Sequence, residues 1–354
     1  MRILDRYLAW AVIGGTLLTL GVLLPLLGVF ILADEVDSIG VERYNLFQAL
    51  LFMLLSLPRY AYLIFPIATL IGALIGLGTL ASRSELVAMR AAGMSVSQVV
   101  RAAMLGGVLL AVFAVVLGEL VAPAAEQRGI ELRRQALSGD VAQRTPDGFW
   151  AVDKGSYVNI REIRSGTRLS DISIYRIDAA QGTLVATRAE GARYRDGHWI
   201  LENIARSRVS SAGVEVERIA KAGWDSMLDP GLLKVVVADP NALPVWGLYK
   251  YIRFMSVNKQ DAGPYEVAFW NKVLHPVLTL SMILIAIPLL LGSSRSTGMG
   301  RRIFVGIMVG ILYYLVSRTF AYLSLLFGMN PFLAAIAPPL LFISGALLLL
   351  RRVG

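Results

Sequence analysis

The chain of 354 residues is 56% hydrophobic and only 17% charged, a composition typical of a membrane protein that excludes an ordinary soluble domain. It contains no cysteine, so disulfides, thiol chemistry and cysteine-ligated metal sites are excluded. Basic residues at membrane-helix ends explain the net charge of +9 better than nucleic-acid binding, and we expect no nucleic-acid partner.

Six apolar segments are long enough to cross a bilayer, which takes about 20 residues per helix. They are residues 8–33, 57–80, 99–121, 273–291, 303–327 and 331–350. The first segment is longer than the apolar core of a signal peptide, and no convincing cleavage site follows it, so we predict an uncleaved span. Roughly 150 residues of different composition separate the third and fourth segments. The predicted fold class is an α-helical polytopic membrane protein, with six transmembrane helices arranged three plus three around an inserted domain.

The arginines predict the orientation of these spans. With the N-terminus inside, the cytoplasmic segments contain Arg2, Arg6, Arg83, Arg90, Arg101, Arg295, Arg301, Arg302, Arg351 and Arg352. The short external loops then contain Arg43 and Arg59, and the first of these loops is acidic. Because cytoplasmic loops carry an excess of Lys and Arg, we predict that both termini are cytoplasmic and that the insert is periplasmic. The predicted domains are residues 1–123, with a short cytoplasmic helix at about 82–95, the periplasmic domain 124–268, and residues 269–354.

The insert is predicted to be all-β. Its segments alternate apolar and polar residues, and turn signals such as Pro146-Asp147-Gly148, Gln181-Gly182 and Asp196-Gly197 separate them. The predicted strands are residues 149–152, 157–160, 172–175, 192–195, 199–201, 215–219 and 234–237. A spacing of about ten residues favours a sandwich or jelly roll. We therefore expect a jelly-roll-like core over about residues 140–236, with a helical connector on either side.

A short amphipathic helix between the second and third spans is the most informative element. Ser82 and Glu85 have the spacing of a capping box, in which Glu85 would only satisfy backbone N–H groups. Alternatively, Glu85 is exposed and docks in a groove of a partner protein, with Leu86, Met89 and Gly93 as apolar contacts at helical spacing. The two roles can coexist.

Several arginines are candidate lipid contacts. Arg318 is strongly charged and lies well inside a span, so it must face protein or a polar cavity, or snorkel to the outer headgroups. Arg128, Arg133 and Arg134 follow the third span, and arginine suits phosphate because its guanidinium donates two parallel hydrogen bonds. A solvated helix face explains these three residues equally well.

Small residues recur in two spans, a pattern that lets membrane helices approach closely. They are Gly72, Gly76 and Gly78 in the second span and Gly306 and Gly310 in the fifth. We expect most of them to serve packing inside the protein.

Enzymatic signatures are missing from the sequence. It has no P-loop motif for ATP and no His-Glu-x-x-His zinc motif, and its two histidines, His198 and His275, lie in different regions. The chain is therefore predicted to be non-catalytic, with no cofactor or metal of its own.

A set of motifs extends over nearly the whole chain. It comprises Leu4-Asp5-Arg6-Tyr7, residues 72–86, Met89 with Ala92-Gly93, Gly118-Glu119, Val121-Ala122-Pro123, Gln260-Asp261-Ala262-Gly263 with Tyr265, and Met299-Gly300. Together with the three-plus-three layout, these motifs resemble the lipopolysaccharide export permeases of the LptF/LptG (YjgP/YjgQ) family. The Asp5-Arg6-Tyr7 and Asp261-Ala262-Gly263 segments favour the LptG branch of that family.

The resemblance implies a subunit of an ABC transporter in the inner membrane of a Gram-negative cell. Such a permease pairs with an LptF-like sister permease, and an LptB-like ATPase dimer, which binds ATP and Mg²⁺, docks on their short helices. Lipopolysaccharide passes from the outer leaflet through the periplasmic domains to an LptC-like single-span subunit and an LptA-like bridge.

The resemblance also implies roles for particular residues. The set that contacts the ATPase is Glu85, Leu86, Met89, Arg90 and Gly93. Arg133 matches a basic position near the glycolipid, and Arg134 and Arg318 are further lipid-binding candidates.

The chain departs from the family pattern at residues 34–38, which are acidic where members often carry lysines that can meet lipid phosphates. Either the basic contacts come from Arg318, Arg133 or the sister subunit, or lipid recognition differs.

The main alternative function is a membrane-anchored adaptor whose β-domain binds a periplasmic protein. A secondary transporter is disfavoured because it would need polar residues near mid-membrane on broken helices.

Overall fold

The computed structural model describes residues 3–137, 143–153, 155–165, 168–178, 183–195, 197–210, 213–226, 243–257, 261–291 and 299–353. The chain divides into two compact units. A helical unit contains residues 1–133, 244–248 and 263–354, and a second unit, which includes the strands, contains residues 134–243 and 249–262.

The described helices are, in chain order, α1 (Ile3–Glu35), α2 (Leu46–Ser82), α3 (Glu85–Ala91), α4 (Val96–Val116), α5 (Ala122–Leu137), α6 (Val245–Val257), α7 (Gly263–Val273), α8 (His275–Leu291), α9 (Met299–Phe327) and α10 (Pro331–Val353). A 3₁₀ turn, Val36–Ser38, follows α1, and a π-helical turn, Leu117–Val121, joins α4 to α5. Capping boxes begin α2 and α4, from Asn45 to Gln48 and from Ser95 to Gln98.

In the described part of the chain, five helical segments are long and apolar enough to cross a membrane: α1, α2, α4 with its continuation, α9 and α10. Helices α7 and α8 form a sixth span only if they are counted together, and they are bent by 52°. The predicted fourth span, residues 273–291, corresponds to α8, and the bend lies at its start. Pro276 explains the bend, because it has no N–H for the carbonyl of Lys272 and its ring clashes with that carbonyl.

Helix α2 is at the centre of the helical unit. It packs against α1, α8 and α9, while α4 packs on α1 and α8, and α10 packs on α8 and α9. Phe65, Leu70 and Leu77 of α2 are fully buried together with Met282 and Ile283 of α8. These contacts make one apolar core for the membrane helices.

Glycines allow α1 and α2 to touch at their backbones. A Cβ atom at Gly72 would lie 2.4 Å from backbone atoms of α1, and one at Gly76 would lie 2.0 Å from the carbonyl oxygen of Ala11. Gly306 and Gly310 of α9 likewise pack on side chains of α2. These small residues therefore serve packing inside the protein, as expected.

The π-helical turn has a cause in the sequence. Ala122 donates its N–H to the carbonyl of Leu117, the spacing of a π-helix. The next such bond would join Pro123 to the carbonyl of Gly118, but proline has no N–H. Lys272 Nζ donates to that carbonyl instead, at 3.4 Å. The carbonyl freed by the proline is thus satisfied from α7.

The second unit contains an antiparallel sheet. Its strands are β1 (Gln143–Asp153), β2 (Ser156–Ser165), β3 (Arg168–Asp178), β4 (Thr183–Arg195), β5 (His198–Ser210) and β6 (Gly213–Trp224). Each strand pairs with the next in sequence, so the described strands form a meander. The prediction of β-structure is confirmed, but the predicted jelly-roll topology, which needs Greek-key connections, is not.

The insert differs from the prediction at one turn, and one predicted strand is outside the described part of the chain. The expected turn at Pro146-Asp147-Gly148 is wrong, because β1 runs through it with a shift of register between Arg144 and Phe149. Strand β1 is at the edge of the described sheet, where proline is tolerated at an irregularity. The predicted strand at 234–237 lies outside the described residues.

Aligned irregularities cross the middle of the sheet. Asp171 in β3 and Asn203 in β5 have φ angles of 50° and 54°, and neither is paired in the ladder. The pairing register is the same on both sides of them, but the left-handed backbone at these positions reverses the alternation of side chains along each strand. Buried residues therefore stay on one face on both sides of the irregularity, as Leu169 and Ile172 do in β3.

Candidate functional site

Helix α3 is shorter than the predicted helix at 82–95, because it covers only the seven residues Glu85–Ala91. Ser82 is the last residue of α2, and its hydroxyl donates to the carbonyl of Thr79 at 2.8 Å. Ser84, with φ 62°, separates the two helices and makes no side-chain cap. The predicted capping box between Ser82 and Glu85 is therefore wrong, since Ser82 belongs to the preceding helix.

Glu85 is half-buried, and α1 holds its carboxylate. The Tyr7 hydroxyl donates to Glu85 Oε2 at 2.7 Å. Tyr7 is itself 44% exposed, so this hydrogen bond lies at the surface of the helical unit. No sequence pattern indicated this pair, whose members are 78 residues apart.

The apolar side of α3 faces the protein's own helices. Leu86 is only 3% exposed and belongs to the apolar core, and Met89 packs partly buried against the same core. This departs from the expectation that both are free to contact a partner. The exposed side of α3 carries Val87 and Arg90 instead.

Gly93 ends α3 by its backbone conformation. Its φ is 93°, its N–H donates to the carbonyl of Arg90, and the N–H of Met94 donates to the carbonyl of Met89. This left-handed termination favours glycine, because a Cβ atom is strained there. The Gly93 position thus has a structural explanation besides the predicted contact.

A second polar contact joins α1 to the helix that follows α3. Asp5 is 6% exposed, and its Oδ2 lies 3.7 Å from Arg101 Nη2 of α4. The start of α1 therefore contacts both α3, through Tyr7, and α4, through Asp5.

At the other end of α1, an acidic residue pairs with one of the candidate lipid contacts. Arg133 Nε donates to Glu35 Oε2 at 2.9 Å, and its guanidinium lies 5.7 Å from the centre of the Phe52 ring. Glu35 is 7% exposed. The neighbouring Tyr44 is also buried, and this burial raises the pKa of the Tyr44 hydroxyl to about 12. The acidic segment that departs from the family pattern thus supplies the counter-charge of Arg133.

The other two lipid-binding candidates lie elsewhere. Arg134 is exposed and is part of the second unit. Arg318 is exposed on α9, where its Nε donates to the Tyr314 hydroxyl at 3.1 Å and its guanidinium lies 5.5 Å from that ring. Among the described residues, the contacts of the Arg318 guanidinium are with Tyr314 of its own helix.

A buried polar cluster lies where the π-helical turn meets the bend between α7 and α8. Lys272 Nζ lies 3.3 Å from Glu119 Oε1, and Glu119 Oε2 accepts the N–H of Val245 at 2.7 Å. The His275 ring stacks on Tyr62 with 4.0 Å between centroids. No sequence pattern indicated this cluster, although Gly118-Glu119 is among the motifs that resemble the family.

Helices α1 and α9 are poorly covered by the described part of the chain. In the most apolar stretch of 18 consecutive residues, 11% are buried in α9, 28% in α1 and 33% in both α4 and α10, against 67% in α2. Their exposed side chains are mostly large and apolar, such as Leu18 and Val22 on α1 and Leu312 and Leu315 on α9. Both helices therefore offer faces that suit lipid chains or other membrane helices.

Comparison with known proteins gives a match over almost the full length. The family model described as lipopolysaccharide export system permease LptF/LptG matches residues 6–352. The chain is 35% identical to the lipopolysaccharide export system permease protein LptG of Haemophilus influenzae, over 96% of both chains. It is 33% identical to LptG of Escherichia coli K12, over 99% of this chain and 98% of that one. LptF of E. coli K12 is 29% identical over 42% of each chain.

Proposed function

This chain belongs to the lipopolysaccharide export permease family LptF/LptG, and we propose that it is the transmembrane permease subunit of an ABC transporter that extracts lipopolysaccharide from the outer leaflet of the inner membrane. The substrate would then pass to a periplasmic bridge to the outer membrane. The observation that carries the proposal is the match to LptG proteins over almost the whole chain. A multi-pass inner-membrane protein with a β-sheet insert fits this role.

We propose that α1 and α9 line a cavity shared with an LptF-like sister permease. Their exposed apolar faces support this, because such walls hold acyl chains loosely enough for both capture and release. The exposed Arg318 also supports it, since a charge at the bilayer centre costs at least about 2.5–3.5 kcal/mol against hydrocarbon and less against a polar cavity.

The lipid contacts follow from the same arrangement. Arg318 and the exposed Arg134 are proposed to meet phosphates of the lipid, since arginine pairs with them through two parallel hydrogen bonds. Arg133 is already paired with Glu35, so its contribution would be smaller unless a phosphate displaces that carboxylate.

The sheet of the second unit would serve as the exit toward an LptC-like subunit and an LptA-like bridge.

On the cytoplasmic side, α3 would receive an LptB-like ATPase dimer, which alone binds ATP and Mg²⁺. Glu85 would contact the ATPase, together with the exposed Arg90 and the turn at Gly93. Leu86 would contribute by fixing α3 to the core. When ATP closes the ATPase dimer, the displacement of α3 would narrow the cavity around the acyl chains.

The test is a mild-detergent pull-down of the tagged chain from its native host, comparing the wild type with Glu85→Lys. Glu42→Lys makes the same charge change at an exposed position between α1 and α2 and is the matched control. We expect the wild type and the control to retain an ATPase and a six-span partner, and Glu85→Lys to lose the ATPase. If the intact chain brings down no ATPase, the transporter proposal fails and a membrane-anchored adaptor takes its place.

A further inference from the structure

Helix α3 depends on contacts from outside its own sequence. It has only seven residues, too few for a stable isolated helix, and its first residue follows Ser84 in a left-handed conformation without a side-chain cap. Leu86 attaches α3 to the core, but it does not fix the Glu85 side chain. A glutamate carries much rotamer freedom, and ordering it for a partner costs free energy.

The hydroxyl of Tyr7 supplies the missing constraint. It donates to Glu85 Oε2 at 2.7 Å, and a hydrogen bond to an ionised acceptor is stronger than one between neutral groups. The tyrosine ring is rigid apart from two torsions, so the bond fixes the carboxylate at low entropic cost. The described contact uses Oε2, so a cation on a partner would meet Oε1.

The same hydroxyl connects α3 to a helix that cannot move independently of its neighbours. Tyr7 lies one turn before Ala11, whose carbonyl touches the backbone of α2 at Gly76. Asp5, in the same first turns of α1, contacts Arg101 of α4. A displacement of Glu85 would thus reach α1, whose apolar face is poorly covered.

We propose that Tyr7 is a positioning residue for the ATPase contact: it orients the Glu85 carboxylate and transmits the displacement of α3 to α1. This inference rests on the proposed function, in which α3 receives the ATPase. Tyr7 acts through Glu85 and need not touch the reacting nucleotide.

A double-mutant cycle in the reconstituted full complex tests the proposal. The affinity of the ATPase for the membrane subunits is measured for wild type, Tyr7→Phe, Glu85→Ala and the double variant, together with lipopolysaccharide released per ATP hydrolysed. We expect Tyr7→Phe to weaken association about tenfold, as for one hydrogen bond to a charged group, and to lower the release per ATP. In the Glu85→Ala background, Tyr7→Phe should have no further effect. Tyr249→Phe, at an exposed tyrosine of α6 outside the sheet, is the matched control.

A second variant leaves α1 untouched. Glu85→Asp keeps the charge but shortens the side chain by one methylene, so the carboxylate cannot reach Tyr7 and the partner together, and association should weaken as in Tyr7→Phe. Unchanged association in both variants overturns the proposal, as does an equal loss from Tyr7→Phe with and without Glu85. If Glu85→Ala itself leaves association unchanged, the docking of the ATPase on α3 fails first, which separates the two failures.

Discussion

Replacing Lys272 with methionine should strongly destabilise the helical unit. The Lys272 side chain is 8% exposed, and its Nζ lies 3.3 Å from Glu119 Oε1. At an effective dielectric constant of about 20, two unit charges at that 3.3 Å separation attract by roughly 5 kcal/mol. Removing one partner of a buried pair typically costs about 3–5 kcal/mol, because the other charge stays buried. We expect the free energy of unfolding to fall by an amount in that range.

The measurement is a titration of the purified chain in mild detergent with sodium dodecyl sulfate, followed by circular dichroism. The double variant Lys272→Met with Glu119→Gln should recover at least half of the loss, because glutamine is neutral and can still accept the N–H of Val245. Lys250→Met, at an exposed lysine of α6, should change nothing. A loss below about 1 kcal/mol, the value of an exposed pair, or a double variant as unstable as the single one, would refute the reasoning.

Three further changes test the packing, a turn and an ion pair. Gly72→Val should prevent the close contact of α1 with α2, at about 1–3 kcal/mol or more, and the variant should aggregate in size-exclusion chromatography, whereas Gly14→Val, which has open space, should not. Gly197→Ala, at φ 84°, should cost about 1–2 kcal/mol, visible as a lower thermal midpoint of the β-sheet signal. Arg133→Gln should cost about 1 kcal/mol in the detergent titration, because Glu35 loses its cation although the arginine is partly exposed.

The membrane helices were the most predictable part of the fold, because a bilayer demands a length and an apolar composition that are visible in the sequence. Five predicted spans correspond to continuous apolar helices. The fourth, residues 273–291, corresponds to α8, with a bend at its start that Pro276 could have predicted. The extra helical part on the far side of that bend, α7, was hidden by its mixed composition.

The strands were found but underestimated in length. Strand β4 has 13 residues where the sequence predicted only 192–195, and β5 has 13 where it predicted 199–201. The reason is the row of irregularities that includes Asn203. A residue in the left-handed conformation reverses the alternation of side chains, so a search for strict period two stops there although the strand continues.

The functional contacts were the least predictable. Arg133 and Glu35 are 98 residues apart, so their pairing depends on how α1 and α5 come together in the fold. The expected role of Leu86 failed for a different reason. An amphipathic helix has one apolar face, and the sequence does not say whether a partner or the protein's own core covers it.

Glu119 also has a consequence for how the insert can vary. Its carboxylate joins Val245, 126 residues further along the chain, and Lys272, 153 residues further along. All three residues belong to the helical unit, so that unit itself closes the loop from which the insert extends. The entropy of closing such a loop grows only with the logarithm of its length. Strands could therefore be gained, lost or exchanged within the insert during evolution at little cost to the membrane helices.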